Sequence, residues 1–124
     1  MSLCPCCSTL EFDQCCSPFL KGLPAPSPEK LMRSRYTAYT LCDSSYILRT
    51  THPVMRKYYS AKSIEQWAKE SQWLNLEIEE ASGNIVVFKA YYKDLSGRLQ
   101  VHHERSVFKQ ENGIWYFYEG TIVD

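Results

Sequence analysis

Hydrophobic residues recur along the chain with two different periods, and the change of period divides it. From Pro28 to about Thr40, Met32, Tyr36 and Tyr39 fall at i, i+4 and i+7, the spacing of one helix face turned toward a core. Ser27, Pro28 and Glu29 supply an N-cap, a proline in the first turn and an acid near the positive end of that helix. Asp43 opens a second short helix, Ser44 to about Thr50. It must end before His52-Pro53, because the residue preceding a proline avoids helical angles. A third helix, about Ser60 to Ser71, turns Ile64, Trp67 and Ala68 inward. Beyond Trp73 the period falls to two. Strands are predicted over Trp73–Glu80, with Leu74, Leu76 and Ile78 on one side, and over Ile85–Lys93, Leu99–Gln110 and Ile114–Ile122. Turns at Ser82-Gly83-Asn84, Asp94–Gly97 and Asn112-Gly113 separate them, the last being the strongest hairpin signal. Helices followed by an antiparallel meander mean an α+β fold, with the N-terminal helices packed on one face of a four-stranded sheet. On the third strand Gln100, His102, Glu104, Ser106 and Phe108 share one face, and Leu99, Val101, His103, Arg105 and Val107 the other. Both faces are mixed, so period alone leaves open which one is interior.

The segment ahead of these helices follows neither period. Five of the six cysteines lie within the first 16 residues: Cys4, Cys6, Cys7, Cys15 and Cys16. Pro24, Pro26 and Pro28 stiffen the stretch that follows, which reads as a linker between a cysteine knuckle (residues 1–22) and a body (23–124). No basic patch followed by an apolar run marks a signal peptide, and clustered cysteines do not staple distant segments. Metal binding is therefore favoured over a disulfide framework. Cys4, Cys6, Cys15 and Cys16, in the pattern C-x-C-x8-C-C, offer four thiolates of the kind tetrahedral zinc takes. Cys7 provides an alternative set, since Cys4 and Cys7 form a C-x-x-C. Four protein ligands close the coordination sphere, which makes such a Zn2+ structural rather than catalytic. A redox role for the C-x-x-C is weakened by the absence of a following βαβ pattern. The sixth cysteine, Cys42, is expected to be a small buried hydrophobe.

Composition narrows the function classes. A chain of 124 residues with 44% hydrophobic and 23% charged residues is a folded domain, and zero formal net charge argues against nucleic acid as a partner. No run of 18 apolar residues exists to span a membrane, so a cytoplasmic protein is expected. No phosphate-cradling glycine loop or nucleophile–base motif is present, and the five glycines read as turn residues, Gly120 among them.

Two sets of residues carry a family resemblance. Cys4-Pro5-Cys6-Cys7-Ser8 followed by Cys15-Cys16 resembles the SEC-C zinc motif, a small module also found at the end of the bacterial preprotein-translocase motor. The string Pro28 to Tyr39 (PEKLMRSRYTAY), then Tyr46, Thr50-Thr51-His52-Pro53, Glu104-Arg105-Ser106-Val107-Phe108 and Glu111 to Tyr116, resembles the YchJ family of uncharacterised bacterial proteins. That resemblance implies a nuclear-transport-factor-2-like (cystatin-like) cone, whose bent sheet leaves an opening lined by polar groups. The family usually has glycine where this chain has Cys7.

The same blocks supply candidate pocket or ion-pair residues: Arg33, Arg35, Tyr36, Glu104, Arg105 and Trp115. Arg33 and Arg35, two residues apart on a helix, do not share a face. Glu104 is expected to meet one of them beneath the helices, because an interior charge must be paired. Three functions follow from these features. In the first, a non-enzymatic adaptor presents Leu10, Phe12, Phe19 and Leu20 of the knuckle to a protein partner. In the second, the cone binds a small molecule through Arg33 or Arg35. The third is a lyase- or isomerase-like enzyme with Glu104 or His52 as base, although a histidine before a proline more often caps a turn.

Overall fold

The computed structural model describes residues 2–123. After a short 3-10 turn at Phe12–Gln14 come α1 (Ser17–Leu20), α2 (Pro28–Thr40) and α3 (Ser44–Arg49). A second 3-10 segment, Pro53–Tyr58, leads into α4 (Ala61–Glu70), and four strands follow: β1 (Gln72–Ser82), β2 (Ile85–Lys93), β3 (Leu99–Glu111) and β4 (Ile114–Ile122). The two predicted caps form as chemistry requires: Ser27 Oγ accepts from the Lys30 N–H and Asp43 from the Tyr46 N–H. Ser60, read from the sequence as the first residue of the third helix, is instead its N-cap and accepts from the Ser63 N–H.

The sheet is an antiparallel meander in the order β1-β2-β3-β4. Its register slips between Trp73 and Asn75, between Ile78 and Glu80, and between Val107 and Phe108, so it carries three bulges. Each bulge adds a residue to one strand and bends it, which curls the sheet around the helices. The first bulge corrects the reading of β1. Leu74 is the extra residue and stands 42% exposed, so Trp73 and Leu76, rather than Leu74 and Leu76, turn toward the core. The β4 edge is covered by the loop after α3. The Phe117 N–H donates to Thr50 O and the His52 N–H to Phe117 O, at 2.9 and 2.8 Å, which leaves fewer open strand groups at the rim.

Helix α2 runs through the middle of the molecule. Met32 and Tyr36 join Leu76, Val86, Phe88, Ala90, Phe108 and Phe117 of the sheet in one core. Its polar residues are buried too, which the i, i+4, i+7 pattern did not signal. Ser34 Oγ donates to Leu31 O and bonds the Tyr46 hydroxyl, and Arg35 and Thr37 are likewise enclosed. A second core of Ala38, Tyr46, Ile47 and Ile64 seats α3 and α4. Cys42 sits past the end of α2, half-buried and in the left-handed region at φ 57°, so it ends the helix rather than filling a core. Gly120 also departs from expectation: it lies within β4, opposite Ser106.

Candidate functional site

The N-terminal segment folds into two arms joined by a bridge between Leu3 and Glu11, with the Cys4 N–H donating to Leu10 O at 2.8 Å. The bridge and the short helix α1 bring four sulfurs together. Those of Cys4, Cys6, Cys15 and Cys16 all lie within 4.8 Å of one another. Cys6 and Cys15 approach to 3.6 Å, Cys15 and Cys16 to 4.0 Å. Cys7 is outside this group: its thiol is exposed and donates to Pro5 O, so of the two sets the sequence allows, the structure assembles the one with Cys6. Cys7 also has φ 66°, a left-handed backbone that favours glycine.

Four thiols this close cannot ionise independently. Hydrogen bonding by Cys16 pushes the Cys6 thiol down to about 4 against the cost of its burial, so one thiolate forms readily. Cys16, which gives that hydrogen bond, is pushed up, and burial raises Cys15. Further ionisation puts like charges side by side and needs a cation between them. The cluster is thus a possible metal site of four soft sulfur donors.

The body supplies the surroundings of this cluster. Arg33 Nη1 donates to Cys6 O at 2.9 Å while its Nε pairs with Glu29 at 3.0 Å. Thr37 Oγ1 lies 3.7 Å from Cys4 Sγ, and Ser8 Oγ lies 3.1 Å from Cys15 Sγ. Cys4, Cys6 and Cys16 belong to the same buried cluster as Leu31, Met32 and Tyr36 of α2. Phe12 and Phe19 pack on that cluster, and Leu20 packs with Phe19 on the second core. Three of the four residues expected to face a partner therefore dock the knuckle, and only Leu10 stays exposed, near Leu3. Ser8 belongs to the cysteine motif read from the sequence, but Thr37 was not signalled there. A threonine in a helix carries no mark of what faces it.

The second set of candidates separates by side. The interior face of β3 is that of His102, Glu104, Ser106 and Phe108; Leu99, Val101 and Arg105 are exposed on the other. Arg105 therefore lines no pocket beneath the helices. Tyr36 is core, edge-on to Trp73 with ring centroids 5.9 Å apart, and Trp115 packs at the other end of the sheet beside Leu31 and Tyr46. Arg33 belongs to the knuckle. Arg35 points the opposite way, into a cavity of about 170 Å3 between α2, α4 and the sheet that Tyr39, Tyr59, Trp67, His102 and Glu104 also line.

Glu104 enters this cavity but meets no arginine. Its two oxygens take the His102 Nε2 at 2.8 Å and the Ser106 hydroxyl. Burial works against its charge, but these hydrogen bonds, with the charges of His102 and Arg35, hold the carboxyl below its ordinary value. Gly120 lies directly beneath, where a Cβ would overlap the carboxylate. Arg35, 5% exposed, directs Nη1 to Ile47 O at 2.9 Å, Thr50 Oγ1 at 2.8 Å and Thr51 Oγ1 at 3.3 Å. Its guanidinium lies 4.5 Å from the Phe117 ring centre.

His52 behaves as a cap. Its Nδ1 accepts from the Val54 N–H at 3.2 Å, which leaves Nε2 to donate to Glu111 Oε1 at 2.8 Å. Both ring nitrogens are engaged, and Tyr116 and Tyr118 stand edge-on to the ring.

Comparison with known proteins agrees with this architecture. Residues 27–120 match the family model described as YchJ, middle NTF2-like domain. A UPF0225 protein of Geobacter sulfurreducens is 42% identical over 127 aligned residues, covering 96% of this chain and 78% of the relative. One from Actinobacillus succinogenes is 36% identical, covering 98% and 82%. The solution structure of a SEC-C motif containing protein from Rhodopseudomonas palustris superposes with a TM-score of 0.90 at 41% identity, over 99% of this chain and 100% of that one. The crystal structure of a SEC-C motif containing protein from Psychrobacter arcticus gives 0.81 at 33% identity, over 100% and 84%. With the four-cysteine knuckle at its N-terminus and the bent sheet behind α2, the chain belongs to the YchJ (UPF0225) family and carries a SEC-C motif.

Proposed function

We propose that this protein holds one structural Zn2+ and works by binding rather than by catalysis. The observation that carries the metal reading is the spacing of the sulfurs. Zinc–sulfur arms of about 2.3 Å in a tetrahedron set sulfur–sulfur edges of about 3.8 Å. The separations of 3.6 and 4.0 Å bracket that value. Bound zinc supplies the positive charge that lets all four thiols ionise. Cys4, Cys6, Cys15 and Cys16 fill its sphere, which leaves no position for water or substrate and makes the site structural. Arg33, held over the Cys6 carbonyl, offsets part of the negative charge of four thiolates. Reduced thiols in this number suit a reducing compartment, which supports a cytoplasmic location.

The candidate bases support binding rather than proton abstraction. His52 has no free ring nitrogen. Glu104 is held below its ordinary value and both its oxygens are engaged, the reverse of what raises a carboxylate toward neutral pH as a general base. A protein partner of the knuckle would meet Leu3 and Leu10, the apolar residues its docking leaves exposed. The test of the metal reading is substitution by cobalt(II). One equivalent per chain, with the intense visible absorption of a tetrahedral thiolate complex that zinc then bleaches, is expected. A weak octahedral spectrum would contradict it.

A further inference from the structure

We infer that the cone cavity is a binding site for a short carboxylic acid carrying a hydrogen-bond donor, a hydroxy acid or an amino acid, with Arg35 as its carboxylate clamp. This site is separate from the metal centre and deepens the reading that the protein acts by binding. Arg35 is the decisive residue. All three of its protein acceptors are taken by a single nitrogen, Nη1. Among the described residues, Nε and Nη2 have no acceptor, and no carboxylate lies within 4.0 Å of the guanidinium. Among the described residues, no side-chain nitrogen or oxygen sealed from solvent lacks a partner. The two unused nitrogens are therefore open to the cavity that Arg35 lines. Nε and Nη2 form one edge of the guanidinium fork, the edge that takes a carboxylate through two parallel hydrogen bonds.

An enclosed cation with no carboxylate in contact is costly, and Glu104 acts on Arg35 only across the cavity. Burial accordingly lowers the hold of Arg35 on its proton. An anion in the cavity relieves that cost. The facing wall sets the rest of the ligand. Glu104 is fixed by His102 and Ser106, and each of its oxygens keeps a second lone pair for a donor on the ligand. A second carboxylate there would be repelled, so the ligand is an acid at one end and a donor at the other. The volume of about 170 Å3 holds about six waters at ~30 Å3 each, room for a molecule the size of lactate. The Tyr39 and Trp67 rings, 5.2 Å apart, and Phe117 bound it on the apolar sides.

The test is NMR titration of the nitrogen-labelled, metal-loaded full chain with lactate, propionate and ethylene glycol. Lactate is expected to shift the Arg35 Nε–H and Trp67 Nε1–H signals saturably. Propionate should shift them with affinity lower by about tenfold, the value of one hydrogen bond to a charged group, and ethylene glycol should leave them unmoved. Arg35→Lys, which keeps the charge but loses the fork, should abolish the response to both acids. Glu104→Gln, which keeps the shape, should bring lactate down to the level of propionate. Metal content should be unchanged in both variants, so failure here is distinguishable from failure of the zinc reading. No shift at concentrations that saturate a site of about 1 mM would overturn the inference. So would shifts away from the cavity, or an unaltered response in folded Arg35→Lys.

Discussion

Gly120→Ala is a one-methyl change whose cost depends on a residue in another strand. The added Cβ overlaps the Glu104 carboxylate, so the side chain must swing away. Doing so strips the His102 and Ser106 hydrogen bonds. His102 reaches solvent, but Ser106 is fully buried and is left without its acceptor. A buried polar group orphaned in this way costs about 1–3 kcal/mol. Against it stands the usual gain from Gly→Ala where the backbone tolerates a side chain, about 0.4–1 kcal/mol. Gly120 has no positive φ to forbid it. The net expectation is a loss of about 1–2 kcal/mol, seen as a Tm lower by about 4–8 °C. In a Glu104→Ala background the obstruction and the hydrogen bonds are both gone, and the same change should become neutral or stabilising by up to about 1 kcal/mol. Thermal melts of the four proteins at one fixed zinc concentration close the cycle, the fixed metal keeping its contribution common to all. Equal costs in the two backgrounds, within about 0.5 kcal/mol, would refute the placement of Glu104 over Gly120.

Four further outcomes follow. Serine at Cys4, Cys6, Cys15 or Cys16 should each lower zinc affinity and melting temperature, whereas Cys7→Ser should leave one metal per chain, as measured by elemental analysis. Cys7→Gly should keep the metal and raise stability by up to about 1 kcal/mol, because φ 66° costs a side-chain-bearing residue that glycine does not pay. Glu104 should titrate below the ordinary glutamate range in carboxyl NMR. Since its folded value is depressed, its contribution is present above the unfolded value of about 4.3 and lost as pH falls through the folded one; the stability gap between the native chain and Glu104→Gln should shrink over that acid window. His52→Ala should cost about 1–2 kcal/mol in denaturant melts, with His52→Asn milder because it still caps the Val54 N–H.

The elements were legible where one local signal decided them. Ser27 and Asp43 announced their helices, and Asn112-Gly113 its hairpin, because capping and turn chemistry act over three or four residues. The four clustered cysteines were legible for the same reason, but excluding Cys7 needed the backbone that turns its thiol outward. Long-range choices were not legible. The bulge at Leu74 depends on register with β2, and the role of Gly120 depends on what β3 places above it. Arg33 and Arg35 were correctly expected to part company, yet neither pairs with Glu104. The sequence contains nothing to say that Glu104 would be satisfied by His102 and Ser106, its neighbours two residues away on the same face of β3. Nor does a proline-rich stretch show whether what it joins will dock; here the knuckle shares the core of α2.

Native mass spectrometry of the untagged chain, with and without chelator, tests the central claim most directly. The account predicts one zinc per chain, removed by chelation at a cost in melting temperature. A metal-free chain with all six cysteines reduced, or one carrying disulfides among the first 16 residues, would contradict it.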